Sequence, residues 1–385
     1  RQLSAHEVGH TIGLSHSYSS SAEGNASVMD YPHPNVSIVD GNLSLAKAYD
    51  DKIGAFDKVA IAYGYQDFPK GTDEKTALNK IIQDSFKAGL TFLSDQDARP
   101  AGGAHPYAHL WDNGKSPEEG LDHILKVREI ALKNFGASNI KKGEPYATLE
   151  EVLVPMYYLH RYQAEGTVKL IGGLNYRYAL KGDGQPITEF VPAAKQKAAL
   201  ASLMKSMSAE TLTLPEHIIK MIPPRPIGYR RGRELVDIRT GLTFDPISAA
   251  ETSANMTMDI LTHTARMNRL VELHARNSDQ PSIEYVLDEI IKSTWNQTRG
   301  EDLKGEVGRA VDQVVLNQFF NLAAHDEASQ QVKAMVMYKL KELQSSLEKK
   351  SAASVAQKAH YQRGAMRIAT FLEEPGEYEF SKNLT

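Results

Sequence analysis

His6-Glu7-Val8-Gly9-His10-Thr11-Ile12-Gly13-Leu14-Ser15-His16 stands at the head of this chain and decides how the rest is read. Each fixed letter of this H-E-x-x-H-x-x-G-x-x-H string has its own physical job. His6 and His10 are one helical turn apart, so on a helix they share a face and can hold one ion together. Glu7 projects beside them, where it can act as general base toward a metal-bound water. Gly13 permits a backbone turn at positive φ, which a side chain would resist. That turn returns His16 as a third nitrogen ligand. Three protein ligands leave a fourth position open, as a catalytic zinc site requires. At about 5% per residue type, five fixed positions coincide by chance roughly once in three million starts, so the string is read as a site.

A second string, Ser27-Val28-Met29-Asp30-Tyr31-Pro32, follows the histidines. With it the chain resembles the metzincin clan of zinc endopeptidases, which pair the long histidine motif with a methionine-containing turn. The resemblance implies Zn2+ as cofactor and a peptide or protein as substrate. It also implies that Met29 forms an apolar floor under the histidines without ligating the metal. Tyr31 has two readings. In astacins and serralysins, which this part resembles, a tyrosine so spaced can reach the metal and donate to an oxyanion. It can equally be a half-buried anchor of the turn. Asp30 is read as a brace of the turn and His33, between two prolines, as a loop residue.

Phe56-Asp57-Lys58-Val59-Ala60-Ile61-Ala62-Tyr63-Gly64 looks like the helix that closes the catalytic domain in the same families. Asp57 is read as structural, capping the helix or tying down the histidine loop. The remainder resembles the C-terminal part of large zinc-dependent peptidases of Bacteroidetes and relatives. The strings that carry this likeness are Leu93-Ser94-Asp95-Gln96-Asp97-Ala98-Arg99, His105-Pro106, Leu110-Trp111-Asp112-Asn113-Gly114 and His160-Arg161-Tyr162-Gln163. It implies a helical extension after a short catalytic core, in a bacterial protein that is periplasmic, outer-membrane-associated or secreted. Metzincins place an N-terminal subdomain before the zinc helix, whereas only Arg1 to Ala5 precede His6 here. The chain is therefore expected to be the C-terminal portion of a longer protein, with that subdomain of the same protein as the partner that completes the cleft.

Composition sets outer bounds. The chain has 385 residues and a net charge of −4, so charge gives no case for nucleic acid or an acidic membrane surface. Cysteine is absent, which leaves His, Asp, Glu and Tyr as candidate ligands. No apolar run reaches the ~18 residues of a membrane span.

Periodicity then predicts the organisation. Residues 17–52 read as loop, 72–88 as helix and 94–116 as a long irregular stretch. Helices are expected near 117–135, 147–170, 192–207 and 214–221, with a hairpin-like segment between 173 and 192. From 246 to about 372 the pattern is helical, broken at Asp279-Gln280-Pro281 and Arg299-Gly300. Met204, Met207, Met256, Met258 and Met267 are assigned to the core. The expected fold class is mainly α: the C-terminal part of a metzincin catalytic domain (1–68), a mostly helical extension (69–245) and a helical C-terminal region (246–385). The last two form a large helical bundle or an irregular α-solenoid with a small hairpin.

Other polar clusters are weighed against plainer roles. Asp95, Asp97, His105, His109 and Asp112 lie in the irregular stretch. They either line the cleft or a second cation site, or pin the loop through buried hydrogen bonds. The sharper form of this reading brings Asp97 and His105 toward the zinc histidines. Arg225, Arg230, Arg231 and Arg233 form a basic cluster, read as pairing with acidic neighbours. The function expected is metzincin-type hydrolysis of peptide bonds, with His6, His10 and His16 on zinc, Glu7 as general base and Tyr31 at the oxyanion. The alternatives are a helical binding module with a vestigial or incomplete zinc site, and a purely structural metal.

Overall fold

The computed structural model describes residues 1–378. It is 54% helix and 3% strand, the mainly α fold that the helical periodicity predicts. The chain begins with α1 (Gln2–Thr11), a short hairpin of β1 (Ser37–Val39) and β2 (Asn42–Ser44), α2 (Ala55–Tyr65), α3 (Glu74–Lys87) and the single turn α4 (Asp95–Ala98). Next come α5 (Pro117–Lys133), α6 (Leu149–Tyr157) and α7 (Arg161–Val168). A second antiparallel hairpin, β3 (Leu174–Tyr176) with β4 (Thr188–Phe190), matches the expected segment and precedes α8 (Ala193–Ser206), α9 (Ala209–Leu212) and α10 (Glu216–Ile219). The remainder is α11 (Pro246–Leu261), α12 (Thr264–Arg276), α13 (Ile283–Ser293), α14 (Leu303–Ala324), α15 (Gln330–Lys349) and α16 (Val355–Glu373).

Local chemistry sets the helix starts. The side chains of Asp245, Ser282, Asp302, Ser329 and Ser354 accept backbone N–H groups at the N-termini of α11, α13, α14, α15 and α16. The breaks expected at 279–281 and 299–300 are present, and the chain also turns after α11, α14 and α15.

Two expectations need correction. Residues 17–52 are not all loop, because Val39 pairs with Asn42 across Asp40-Gly41, both at positive φ (51° and 78°). That is a two-residue hairpin turn, which Asp-Gly favours. The helix expected over 147–170 is two helices. Arg128 donates to the Tyr157 carbonyl at 2.7 Å, and the Tyr158 hydroxyl reaches the Ala249 carbonyl at 2.9 Å. Distant partners thus hold the chain at the break.

One buried apolar cluster runs from Leu121 to Phe371, with Trp295, Phe319 and Phe320 fully enclosed. Residues from both sides of position 245 belong to it. A small separate cluster of Tyr18, Leu93, Ala98, Ala108 and Leu110 has Tyr31 and Tyr176 packed against it. Met204, Met207, Met258 and Met267 are buried as expected, but Met256 is 38% exposed and faces solvent. Arg225 and Arg231 both close on the buried carboxylate of Glu150. Among the described residues no helix is long and apolar enough to cross a membrane.

His160 is enclosed where α6 meets α7. Burial, followed by the charges of Arg128 and Arg161, pushes its pKa from 6.5 down to about 3. The folded state therefore refuses a proton that the unfolded chain accepts, and stability is lost as pH falls below 6.5. Replacing His160 by Gln removes this one contribution. The difference in unfolding free energy between wild type and H160Q is expected to narrow by roughly 1 kcal/mol per pH unit on acidification within that window. Denaturant unfolding across a pH series checks this, and a pH-independent difference contradicts it.

Candidate metal centre

Helix α1 places His6 and His10 on one face, with ring centroids 4.7 Å apart. The helix ends in a Schellman turn: Leu14 N–H bonds the Gly9 carbonyl and Gly13 N–H bonds the His10 carbonyl, both at 3.0 Å. Gly13 takes φ +85° with no heavy atom near a would-be Cβ, so its requirement is conformational rather than steric. The turn returns His16, whose ring centroid lies 5.3 Å from that of His6 and 4.9 Å from that of His10. One nitrogen from each of the three rings falls within 4.8 Å of the others.

The outer nitrogens decide which atoms face the metal. Nδ1 of His6 donates to the Val28 carbonyl at 2.7 Å. Nδ1 of His10 donates to the Leu14 carbonyl at 2.9 Å, and Nδ1 of His16 donates to Asp95 Oδ2 at 2.7 Å. Carbonyls and carboxylates only accept, so each Nδ1 carries the proton and each Nε2 presents a lone pair. The Nε2 atoms of His6 and His10 face each other at 3.0 Å. Two lone pairs so placed repel unless a cation lies between them. Tetrahedral zinc with bonds of 2.0–2.1 Å holds its nitrogens about 3.3 Å apart, so the donor set fits zinc.

Tyr31 joins this face. Its hydroxyl lies 3.1 Å from His16 Nε2, and its ring centroid is 4.6 Å from that of His6. Glu7 is exposed on α1 beside His6. A cavity of 640 Å³ opens alongside, lined by His6, Val28, Tyr31, Pro32, Tyr49 and Trp111 among others.

Below the histidines Met29 is 2% exposed. A Cβ on Gly9 would lie 2.3 Å from its sulfur, so the helix backbone rests on the Met29 side chain. Gly9 occupies a variable position of the motif, and only the packing reveals why it is glycine. Asp57, at the start of α2, accepts from Ser27 Oγ (2.5 Å), Val28 N–H (2.8 Å) and Gly54 N–H (2.6 Å). It thereby fixes the Ser27–Val28 peptide, next to the one whose carbonyl holds His6, the tie that its sequence position suggested. The Tyr65 hydroxyl donates to the Ile12 carbonyl at 2.6 Å and clamps the end of α1.

A family profile described as Met-zincin matches residues 1–302. The chain belongs to the Met-zincin family. Comparisons with curated proteins and with solved structures find no match. The Met-zincin match takes in α1 to α13 and leaves α14 to α16 outside it.

The acidic and histidine cluster of residues 95–112 divides. Asp95, not singled out from its neighbours in the sequence, is the one bonded to a zinc-motif histidine. Arg99 donates to its Oδ1. Burial tends to raise the Asp95 carboxyl, but the bonds from His16 and Arg99 prevail and bring it down to about 2. Asp97 instead accepts from the hydroxyls of Tyr176 and Tyr178. His105 is fully buried with Nε2 3.1 Å from the Tyr176 carbonyl, and burial lowers its pKa to about 4. Asp97 and His105, expected to approach the zinc histidines, thus make these bonds to the β3 segment. Asp112 is buried and accepts from Ser21 Oγ at 3.1 Å, and burial raises its carboxyl to about 7. Asp30 accepts the N–H of Tyr31 at 2.7 Å, as a brace of the turn should.

The Gly9–Met29 contact gives a direct test. Gly9→Ala is expected to destabilise the protein by about 1–3 kcal/mol through overpacking. In a Met29→Ala background most of that cost should vanish, because the clashing sulfur is gone. Unfolding of the four proteins of the cycle measures the coupling. Equal costs in both backgrounds would show that Gly9 is needed for something else.

Proposed function

We propose that this chain carries out zinc-dependent hydrolysis of peptide bonds. The observation that supports it best is the convergence of three Nε2 lone pairs, each set by an acceptor on Nδ1, beside the Tyr31 hydroxyl and an open cavity. Zinc held there supplies Lewis-acid polarisation and eases deprotonation of water toward a pKa of ≈ 7.

The residues of the chain do the remaining work. Glu7 takes the proton of the attacking water and passes it to the departing amine nitrogen, so it serves first as base and then as acid. Tyr31 donates its hydroxyl proton as a hydrogen bond to the oxygen on which negative charge develops. The hydroxyl is placed for this because its present acceptor, His16 Nε2, is itself on the metal-facing side. Aromatic and apolar walls from Val28, Tyr31, Pro32, Tyr49 and Trp111 offer room for one substrate side chain.

A second reading, a helical binding module with an incomplete metal site, draws on the open outer face of α1. Leu3 and Val8 there are 67% and 59% exposed, a surface suited to another chain segment. Metal analysis separates the two readings: the peptidase requires about one zinc per chain after purification without added metal.

Two substitutions test the roles. Glu7→Ala is expected to keep its zinc while losing at least about 10²-fold in cleavage of a casein-derived fluorogenic peptide mixture. Undiminished cleavage by the mutant would sink the mechanism. Tyr31→Phe is expected to lower kcat by about 10²-fold with little change in KM, since the bond it removes strengthens only as charge develops. A rise in KM alone would assign Tyr31 to substrate binding.

A further inference from the structure

We propose that Asp95 is the positioning residue of the third histidine, and that through it the helical extension sets the affinity of the metal site. This rests on the reading of His6, His10 and His16 as zinc ligands. His6 and His10 are fixed by the backbone of α1 and by neighbouring carbonyls. His16 lies beyond the glycine turn, off the helix, and the tautomer and orientation of its ring depend on what Nδ1 meets. It meets a carboxylate at 2.7 Å, not a carbonyl. A charged acceptor fixes the proton on Nδ1, aims Nε2 inward and raises the basicity of the ligand.

The two oxygens of Asp95 divide their work. Oδ2 serves His16, while Oδ1 takes the Arg99 guanidinium and, at 3.3 Å, the Tyr18 hydroxyl. The mount beneath is tied at several points. Tyr18 N–H bonds the Leu93 carbonyl at 2.8 Å. Buried Lys169, at the end of α7, donates to the carbonyls of Ala98 and Ala108. Tyr176 and Tyr178 hold Asp97, two residues beyond Asp95. The position of the carboxylate is thus dictated from α7 and the β3 segment, far along the chain from the motif that it serves.

The test is zinc affinity, read by competition with a chromophoric chelator. Asp95→Ala should weaken binding 10- to 100-fold, the usual loss for such an outer partner. Asp95→Asn, which retains an acceptor oxygen without charge, should fall between Ala and wild type. The visible absorption of the Co(II)-substituted protein should change in D95A, while its metal-free circular dichroism stays that of the wild-type fold. In a His16→Ala background, Asp95→Ala should produce no further loss. Wild-type affinity in D95A overturns the proposal, as does an equal loss with and without His16. A wild-type chain that takes up no zinc overturns the three-histidine reading itself, and this proposal with it.

Discussion

Three imidazole rings must each surrender one nitrogen to a hydrogen-bond acceptor so that the other can face a common point. That constraint organises the N-terminal third of the chain. The acceptors come from very different distances: Leu14 is 4 residues from His10, Val28 is 22 from His6, and Asp95 is 79 from His16. A Schellman turn supplies the first, a methionine turn the second and the helical extension the third. Each acceptor is itself held, because a loose partner would leave the ring free to rotate.

The second acceptor shows how this works. The Val28 carbonyl is placed because Asp57 grips the N–H of the same residue and the hydroxyl of Ser27. Asp57 is placed because α2 starts there, with Gly54 N–H on the same oxygen that takes Val28 N–H. Helix α2 then reaches forward through Tyr65 to the end of α1. A buried carboxylate that accepts three hydrogen bonds at once is a fixed post. Its removal would free the turn that carries Val28 and Met29 as well as the start of a helix.

The sequence discloses what local rules govern. The spacing of His6 and His10 and the glycine after them are local physics, and the structure displays them directly. The hairpin at Asp40-Gly41 carried a sufficient signal, the dipeptide itself, within a stretch rich in other turn formers. Gly9 and Asp95 gave no local sign. Gly9 matters because Met29 packs on it, and Asp95 because a fold brings α4 under His16; neither contact leaves a trace in periodicity. Asp97 and His105 illustrate the same limit from the other side. They are the residue types that line metal sites, yet their bonds go to Tyr176, Tyr178 and the β3 backbone. Residue type narrows the candidates, and only distant pairing selects among Asp95, Asp97 and Asp112.

Helix α1 itself has little to hold it by burial. Its buried residues are His6 and Gly9, and its apolar Leu3 and Val8 face solvent. An isolated helix of this length is marginal in water. Its order therefore depends on polar ties at its ends and on whatever the histidines bind. For such an element a bound ion would couple to local folding, and each outer bond that orders a ring would then favour both. The large apolar core between Leu121 and Phe371 is tied to this stretch by buried Lys169, which donates to the Ala98 carbonyl, and buried Arg266, which donates to that of Ala101. The residues that hold the three histidines thus come from the motif, from the turn after it and from the extension alike, and the family match likewise continues through α13.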